Sequence, residues 1–284
     1  MAARKSSDGK TKKKRTRGSM AAQADRHLLY ERSVQCVEAE IDFVDKTYRK
    51  LRGKKAALLR EDFAGTCNTS CEWVRRRKTN RAIGVDLDGE TLAWGREHHI
   101  IPLGDDADRV RQLRGDVLTV NTRRSFGPAD VVLAMNFSYW TFRERTLLLH
   151  YFRRVRQALA DDGLFILDCY GGSEAHEARE ETREYDDFSY IWDQDKLYPV
   201  TNEMFCHIHF EFPDGSRIRK AFSYHWRLWG LPEIRDVLLD AGFSKVTVYW
   251  EGTDRKTGEG NGIFRPAEKG QNCPSWIVYI VAEK

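Results

Sequence analysis

Two acidic residues follow predicted strands, and the second of them stands where a carboxylate can hold the sugar of a nucleoside. Glu61 and Asp86 each come at the end of a short apolar run of the kind that forms a buried strand. A carboxylate at the tip of a parallel strand can accept hydrogen bonds from both hydroxyls of a ribose. Ala64 and Gly65 follow Glu61, and their minimal side chains let the backbone approach a ligand closely. These residues predict a nucleoside site in which Asp86 binds the ribose.

The elements around these acids are in the order of a nucleotide-binding βαβ unit. Residues 56–59 and 82–83 are apolar and predict two strands, and residues 69–77 predict the helix between them. A dinucleotide site needs several glycines around its pyrophosphate, whereas this segment has one glycine, with Phe63 and Cys67 crowding the other positions. A nucleoside without phosphate has no such requirement. The pattern therefore favours a nucleoside without phosphate over a dinucleotide.

Further signals follow downstream in a regular order. Asp116 lies in a short motif, residues 114–117, and residues 129–139 predict an apolar strand with a polar loop after it. Residues 146–159 predict an amphipathic helix, and residues 164–168 predict a fully apolar strand. Strands that are apolar throughout are typical of a parallel sheet covered by helices on both faces.

In this order the motifs resemble those of the class I S-adenosylmethionine-dependent methyltransferases. Glu61, Gly65 and Thr66 match the acid, the central glycine and the threonine of that family's first motif. The resemblance implies that Asp86 binds the ribose and that Asp116 accepts a hydrogen bond from the adenine amino group. It also implies S-adenosyl-L-methionine as the cofactor. The cofactor-binding residues expected from it are Glu61, Phe63, Ala64, Gly65, Thr66, Asp86, Leu87, Asp116, Val117, Met135 and Asn136.

The resemblance implies an α/β fold, with a Rossmann-like doubly wound seven-stranded sheet and a small antiparallel β insert. We expect, in chain order, a disordered basic tail, a helical N-terminal cap, the S-adenosylmethionine-binding core, the insert as a substrate cover, and the C-terminal part of the core. Their ranges are residues 1–20, 21–55, 56–172, 173–227 and 228–284.

The insert is expected from a change of composition after Gly172. Residues 173–187 are highly charged and predict a helix or a mobile loop, and three aromatic-rich runs follow. Residues 204–212 and 217–226 are joined by a Pro-Asp-Gly turn, which predicts an antiparallel hairpin. An insert of three antiparallel strands at this place resembles that of small-molecule N-methyltransferases that act on amino groups of sugars.

The N-terminal cap is expected from the helical spacing of apolar residues in residues 21–55. In the methyltransferase interpretation this segment covers the donor pocket, and Tyr30 at its start lies over the strand ends. The alternative is an amphipathic helix packed on the sheet, with Tyr30 at its edge.

Methyl transfer from a sulfonium is an in-line displacement, so the protein has mainly to align donor and acceptor and to exclude water. The predicted catalytic residues are Tyr139, whose ring would pack near the sulfonium, and His207, a base near neutral pH. His207 shares a strand face with His209 and Glu211, and that face is alternatively a row exposed to solvent. Asp168 is either functional or the cap of a strand end. The predicted substrate-binding residues are Tyr30, Tyr139, Tyr170, Glu174 and Trp226.

Composition limits the class of protein. A chain of 284 residues can bury a large core. No apolar stretch approaches ~18 residues and no apolar segment follows the N-terminal charges, so neither a membrane span nor a secretory signal is expected. The six cysteines lack metal-binding spacing, so no metal site is expected. We therefore expect a cytoplasmic protein with reduced thiols.

Basic character is concentrated at the N-terminus. Eight Lys and Arg and one Asp in residues 1–18 give +7, whereas the whole chain carries +4, so the remainder carries about −3. The tail is interpreted either as an arm for nucleic acid or an anionic surface, or as a solubilising extension.

The leading hypothesis is a methyltransferase that transfers a methyl group from S-adenosylmethionine to nitrogen or oxygen of a small molecule. The first alternative keeps this chemistry but acts on protein or RNA, with nucleic acid bound only through the basic tail. The second alternative is a non-catalytic S-adenosylmethionine-binding module. The sequence leaves the acceptor and the oligomeric state open.

Overall fold

The computed structural model describes residues 18–254, 256–258 and 260–284, so residues 1–17 of the predicted tail lie outside the described residues. The helices are α1 Met20–Gln23, α2 Arg26–Val34, α3 Val37–Arg52, α4 Asn68–Arg76, α5 Gly89–Gly95, α6 Thr122–Phe126, α7 Arg145–Ala158 and α8 Leu231–Asp240. The strands are β1 Leu58–Asp62, β2 Arg81–Asp86, β3 Val110–Arg114, β4 Ala129–Ala134, β5 Leu159–Gly171, β6 Arg179–Glu184, β7 Ser189–Tyr198, β8 Glu203–Glu211, β9 Arg217–Arg227, β10 Lys245–Thr253, β11 Gly260–Pro266 and β12 Trp276–Glu283. Within these described ranges, no helix is long and apolar enough to cross a membrane.

The central sheet has the strand order β11-β10-β12-β5-β4-β1-β2-β3. Strands β1 to β5 are parallel, and β12 pairs antiparallel with β5. The predicted doubly wound α/β fold is therefore confirmed. The expected count of seven strands is corrected to eight, because β11 pairs antiparallel with β10 and extends the edge of the sheet. Since β4 and β2 lie on opposite sides of β1, the order reverses at β1, where open sheets of this kind bind ligands.

Apolar side chains cover the central sheet on both faces. Ile41 and Tyr48 of α3 and Trp73 of α4 are buried on one face, and Tyr151 and Phe152 of α7 are buried on the other. Fully burying one such side chain contributes roughly 1.5–3 kcal/mol. Because both faces are covered, residues 131–134 of β4 and 164–167 of β5 are apolar throughout, as the sequence predicted, whereas β1 buries the ion pair of Arg60 and Asp62.

A second, antiparallel sheet lies between β5 and α8 in the chain and has the order β6-β7-β8-β9. The predicted hairpin forms, since the N–H of Phe212 donates to the carbonyl of Ser216 and the N–H of Gly215 donates to that of Phe212. Tyr190 and Trp192 of β7 lie on the face of this sheet that is turned towards the central sheet.

The prediction for residues 173–187 was wrong, because they contain strand β6 rather than a longer helix or a loop. The insert therefore has four strands instead of three. β6 pairs with β7 along its whole length and leaves its other edge unpaired in the described structure. Five of its six residues are charged, a composition that is unusual for a strand and that hid it from sequence analysis.

The N-terminal segment connects the two sheets. Three helices, α1 to α3, form where one helical cap was expected. The N–H of Met20 donates to Asp214 at 2.8 Å, and the guanidinium of Arg32 pairs with Asp187 at 2.6 Å. Residues 18–20, assigned to the tail from the sequence, belong to the described structure, and Ser19 caps α1. The boundary of the predicted tail is corrected accordingly.

Candidate functional site

The loop after β1, residues 63–67, has a strained backbone. Phe63, Gly65 and Cys67 have φ angles of 57°, 51° and 60°, all in the left-handed region. For a residue other than glycine this conformation costs about 1–3 kcal/mol, and such residues cluster at ligand sites. The N–H of Cys67 donates to the carbonyl of Ala64 at 2.7 Å. Loop 63–67 is therefore a tight turn at the carboxyl end of β1.

Asp86, at the end of β2, fixes this loop. Its carboxylate accepts hydrogen bonds from the N–H of Gly65 at 2.7 Å and from that of Asp88 at 2.8 Å. A carboxylate offers about four lone-pair sites, so about two remain for the hydroxyls of a ligand. Asp86 is half-buried, which keeps it within reach of solvent and ligand.

The residues predicted to meet adenine lie next to Asp86, because β2 and β3 are paired. One oxygen of Asp116 accepts the N–H of Leu118 at 2.8 Å, which holds the carboxylate in place. The side chain of Leu87 is exposed, whereas Val117 is buried in the core. Asp116 and Leu87 can therefore contact a ligand through their side chains, and Val117 supports them by packing.

Glu61 is buried behind loop 63–67. Its Oε2 accepts hydrogen bonds from the N–H of Ser70 at 2.9 Å and from the hydroxyl of Ser70 at 2.5 Å. Burial raises the pKa of Glu61 to about 7 despite these hydrogen bonds. Glu61 is thus both a support for the start of α4 and a carboxyl that a nearby cation would readily ionise.

The other side chains of loop 63–67 turn into the protein. Phe63 packs against the rings of Phe142 and Tyr151, and Ala64 is buried. The hydroxyl of Thr66 donates to Glu31 of α2 at 2.5 Å. A ligand at this loop would therefore meet mainly its backbone.

The loop after β4, residues 135–137, repeats the strained conformation. Asn136 and Phe137 both have φ of 56°, and Met135 before them is buried. The carboxylate of Asp168 in β5 accepts the N–H of Asn136 at 2.8 Å and that of Phe137 at 2.9 Å. Burial raises the pKa of Asp168 to about 7. Of the two interpretations left open by the sequence, the structure supports a cap that positions loop 135–137.

Tyr139 does not line a cavity, contrary to its predicted roles in catalysis and substrate binding. Tyr139 is fully buried, and its hydroxyl donates to the carbonyl of Asp168 at 2.7 Å. Burial raises the pKa of this hydroxyl well above its usual value, so it remains protonated. The strained turn at Phe137 starts a short 3₁₀ helix, Ser138–Thr141, which directs Tyr139 into the core.

A cavity of about 320 Å³ lies between the second sheet and the carboxyl ends of β4 and β5. It brings together four of the predicted substrate-binding residues with one predicted cofactor residue, namely Tyr30, Tyr170, Glu174, Trp226 and Asn136. Because Asn136 belongs to loop 135–137, the cavity and the strand-end loops meet.

Sequence analysis missed several residues of the cavity wall, among them Phe137, Arg179, Glu181, Arg183, Tyr190, Trp192, Gln194, Ile208 and Tyr224. The alternation of residues along two strands could have identified some of them from the sequence. Tyr190, Trp192 and Gln194 alternate along β7, and Tyr224 and Trp226 alternate along β9, so each set shares one face of its strand.

The cavity combines aromatic walls with charges at its rim. Tyr30 and Tyr224 both belong to the wall, and burial raises the pKa of Tyr30 to about 12, so its hydroxyl stays protonated near neutral pH. Glu174 forms an ion pair with Arg179 at the rim. These walls suit a ligand with flat apolar faces and a few polar groups.

His207, predicted as a catalytic base, lies on the face of the second sheet that is turned away from the cavity. Its Nδ1 is 2.9 Å from the Ser223 hydroxyl, and its Nε2 is 3.7 Å from Asp195. Desolvation on burial lowers the pKa of the His207 imidazole below its usual value. His209 on the same face pairs with Asp193 at 3.1 Å. Both histidines are buried, so the alternative of a solvent-exposed row was also wrong for them.

The strand-end residues fit a nucleoside that lacks phosphate and bears an amino acid. Asp86 and Asp116 are acceptors only, which matches the hydroxyls of a ribose and the amino group of adenine. Loop 63–67 carries buried Glu61 behind it, and a carboxyl suits an ammonium group. The chemistry of these groups therefore agrees with S-adenosylmethionine.

No protein-family model matches the chain, and no curated protein sequence is significantly similar to it. Solved structures share its fold. A S-adenosylmethionine-dependent methyltransferase from Clostridium acetobutylicum is 16% identical, with a TM-score of 0.66 over 90% of this chain and 96% of the other.

Two sugar-modifying enzymes have the same fold. An amino pentose methyltransferase from Micromonospora echinaspora, solved with S-adenosylmethionine bound, is 14% identical, with a TM-score of 0.63 over 91% of this chain and 96% of the other. A sugar N-methyltransferase from Streptoalloteichus is also 14% identical, with a TM-score of 0.61 over 100% of this chain and 98% of the other. The chain therefore has the fold of these S-adenosylmethionine-dependent methyltransferases.

Proposed function

We propose that this protein transfers a methyl group from S-adenosylmethionine to a nitrogen or oxygen atom of a small molecule. One observation carries the proposal: loop 135–137 belongs both to the strand ends that would hold the donor and to the wall of the aromatic cavity. An acceptor in this cavity would lie against the donor. The shared fold with methyltransferases supports this interpretation.

In this proposal the donor lies across the carboxyl ends of β1, β2 and β3. Asp86 binds the ribose hydroxyls, Asp116 accepts from the adenine amino group, and Leu87 covers the base. Loop 63–67 lies beside the amino-acid part. The bound cofactor supplies a methyl group on a sulfonium, which is a good leaving group, so the chain's own residues need only align the two reactants and exclude water.

The proposed acceptor is an amine on a small ring. Two of the structures with this fold are described as acting on an amino pentose and on a sugar nitrogen. The rings of Tyr170, Trp192 and Trp226 can pack on the faces of such a ring and keep water from the reaction. No histidine occurs among the described residues of the cavity wall. The amine would react in its neutral form, and the methylated ammonium ion would then lose its proton to solvent or to the carboxylates Glu174 and Glu181 of the wall.

Incubation with methyl-labelled S-adenosylmethionine and separate metabolite, protein and RNA fractions tests the proposal. We expect label in the metabolite fraction, and at least about five-fold less label with Asp86→Ala at a donor concentration near the wild-type Kd, since a 10-fold weaker site is mostly empty there. Donor binding without label in any fraction would instead support a non-catalytic binding module.

The alternative of a protein or RNA methyltransferase is based on the charge of residues 1–17. Deletion of these residues separates the two hypotheses. For a small acceptor, turnover should remain within about two-fold of the full chain, because neither strand-end loop contains them. A large loss of turnover on RNA or protein, with loss of its salt dependence, would favour the macromolecular acceptor.

A further inference from the structure

Glu40 has a buried carboxylate oxygen without a hydrogen-bond partner. It lies in the first turn of α3, and its residue is only 7% exposed. Its Oε2 has no partner among the described residues. Buried carboxylates are rare unless they are paired with a cation or fully hydrogen-bonded. Glu40 therefore needs a partner that the described chain does not supply.

The groups that face Glu40 come from several elements and include no Lys or Arg in the described structure. Besides the backbone of Cys36, they are Glu38 of α3, Tyr30 of α2, Glu61 of β1, Asp168 of β5 and Tyr279 of β12. The segment just before α3 lies against loop 63–67 and α4, because Glu31 accepts the Thr66 hydroxyl at 2.5 Å and Gln35 accepts the Asn68 amide at 3.0 Å. The buried carboxyl of Glu40, in the first turn of α3, is therefore near the carboxyl end of β1, within electrostatic range of Glu61 and Asp168.

This arrangement keeps carboxyl groups partly protonated near neutral pH. Burial is the main cause that raises the pKa of Glu40, Glu61 and Asp168, each to about 7, and repulsion between the carboxylates adds to it. A cation among them would favour the ionised forms, so protons would leave when the cation binds.

We propose that Glu40, together with Glu61, binds the ammonium group of the donor's amino-acid part, and that protons are released as the donor binds. The inference rests on the proposed function, because it takes the methyl donor to lie along loop 63–67. Glu40 lies outside the motifs that carry the resemblance, so it is an additional binding residue from the N-terminal helices. An acceptor amine in its protonated form would offer Glu40 the same kind of cation. The two nucleosides used below distinguish the ammonium group of the donor from that of the acceptor.

Calorimetric titration with two nucleosides tests the inference. S-adenosylhomocysteine carries the ammonium group, whereas 5′-methylthioadenosine lacks the whole amino-acid part. Measurements at pH 7 in buffers of different ionisation enthalpy count the protons released. We expect release with S-adenosylhomocysteine and none with methylthioadenosine. Glu40→Gln should weaken the binding of S-adenosylhomocysteine at least ~10-fold and reduce the number of protons released. It should leave the affinity for methylthioadenosine unchanged.

Glu38→Gln is the matched control, because Glu38 is exposed on the same turn of α3. It should bind both nucleosides as the wild type does. Equal affinity and equal proton release for S-adenosylhomocysteine in wild type and Glu40→Gln would overturn the inference and leave the acceptor amine as the remaining cation. An equal loss of affinity for both nucleosides would also overturn the inference, since the substitution would then affect the fold of the site and not the contact with the ammonium group. Wild-type protein that binds neither nucleoside overturns the proposed function itself.

Stability without ligand gives an independent readout. Because the pKa of Glu40 is about 7 in the folded protein and about 4.5 when unfolded, Glu40 releases its proton earlier in the unfolded state. Its contribution to stability is therefore fully present below pH 4.5 and is lost as the pH rises through 7. Urea unfolding should show the wild type losing stability relative to Glu40→Gln over this range. Parallel curves would contradict the assignment of a buried, unpaired carboxylate.

Discussion

The donor half and the acceptor half of the candidate site are built by different means. At the ends of β1 and β4, strained backbone held by Asp86 and Asp168 sets the positions of the site residues. In the second sheet, side chains such as Tyr190 and Trp192 form the wall simply by alternating along a strand. One lost carboxylate should therefore displace several backbone groups, whereas one lost aromatic ring should change only the local volume.

Asp168→Ala should give the largest effect, because this carboxylate holds the loop that both halves share. Two partly buried N–H groups, those of Asn136 and Phe137, lose their acceptor, which costs roughly 2–5 kcal/mol of unfolding free energy. Displacement of loop 135–137 by about 1 Å should lower turnover about 100-fold. Asp161→Ala, which removes an exposed carboxylate, is the control. Unfolding and methyl transfer measured together check this, and turnover near that of the wild type would show that the loop does not depend on Asp168.

Asp86→Ala tests the donor half alone. We expect the Kd of S-adenosylhomocysteine to rise at least ~10-fold, because charged hydrogen bonds to the ribose are lost and Gly65 loses its acceptor. Glu90→Ala, on the exposed side of α5, controls for the change of charge. An unchanged titration curve would remove Asp86 from the donor site.

Trp192→Ala tests the acceptor half alone. The KM for the acceptor should rise about 10-fold as the aromatic wall is lost, while the Kd of the donor stays within about two-fold. His225→Ala, on the outer face of β9 in the same sheet, is the control, since His225 packs on Phe205 and does not line the cavity. A parallel loss of donor binding would mean that the two halves are not independent.

His207→Gln should have the smallest effect. The glutamine amide can keep a hydrogen bond to Ser223, and the cavity lies on the other face of the sheet, so turnover should stay within about two-fold at every pH from 6 to 8. A loss of more than about ten-fold, with a changed pH profile, would restore the catalytic interpretation of His207.

The apolar strands β4 and β5 and the position of Asp86 could be predicted because both depend on local pattern. Buried parallel strands have long apolar runs, and an acid at the end of such a strand stands at the ligand edge of the sheet. Several cavity residues were predictable for the same reason, since Tyr170 is near the end of β5 and Trp226 is near the end of β9.

Other features depend on contacts that no local pattern encodes. Two successive left-handed residues, Asn136 and Phe137, rotate the chain and bury Tyr139. His207 shares its sheet face with Asp195 and Ser223 of the neighbouring strands, which bury it although alternation alone places it outside. Glu40 is hidden among the polar residues of an amphipathic helix, and only the assembled fold shows that it is buried.

The charged residues of strand β6 contribute to the cavity wall, and they also oppose aggregation at the outer edge of the second sheet. Arg179, Glu181 and Arg183 point to the cavity, while the alternate residues point the other way, and the outer edge of the strand has no neighbour in the described structure. A flat apolar strand in that position would invite other chains to add to the sheet, and charges on it oppose this. Attempts to adapt the cavity to more apolar ligands by making this strand apolar should therefore cause precipitation, and β7 and β9 are the safer places for such redesign.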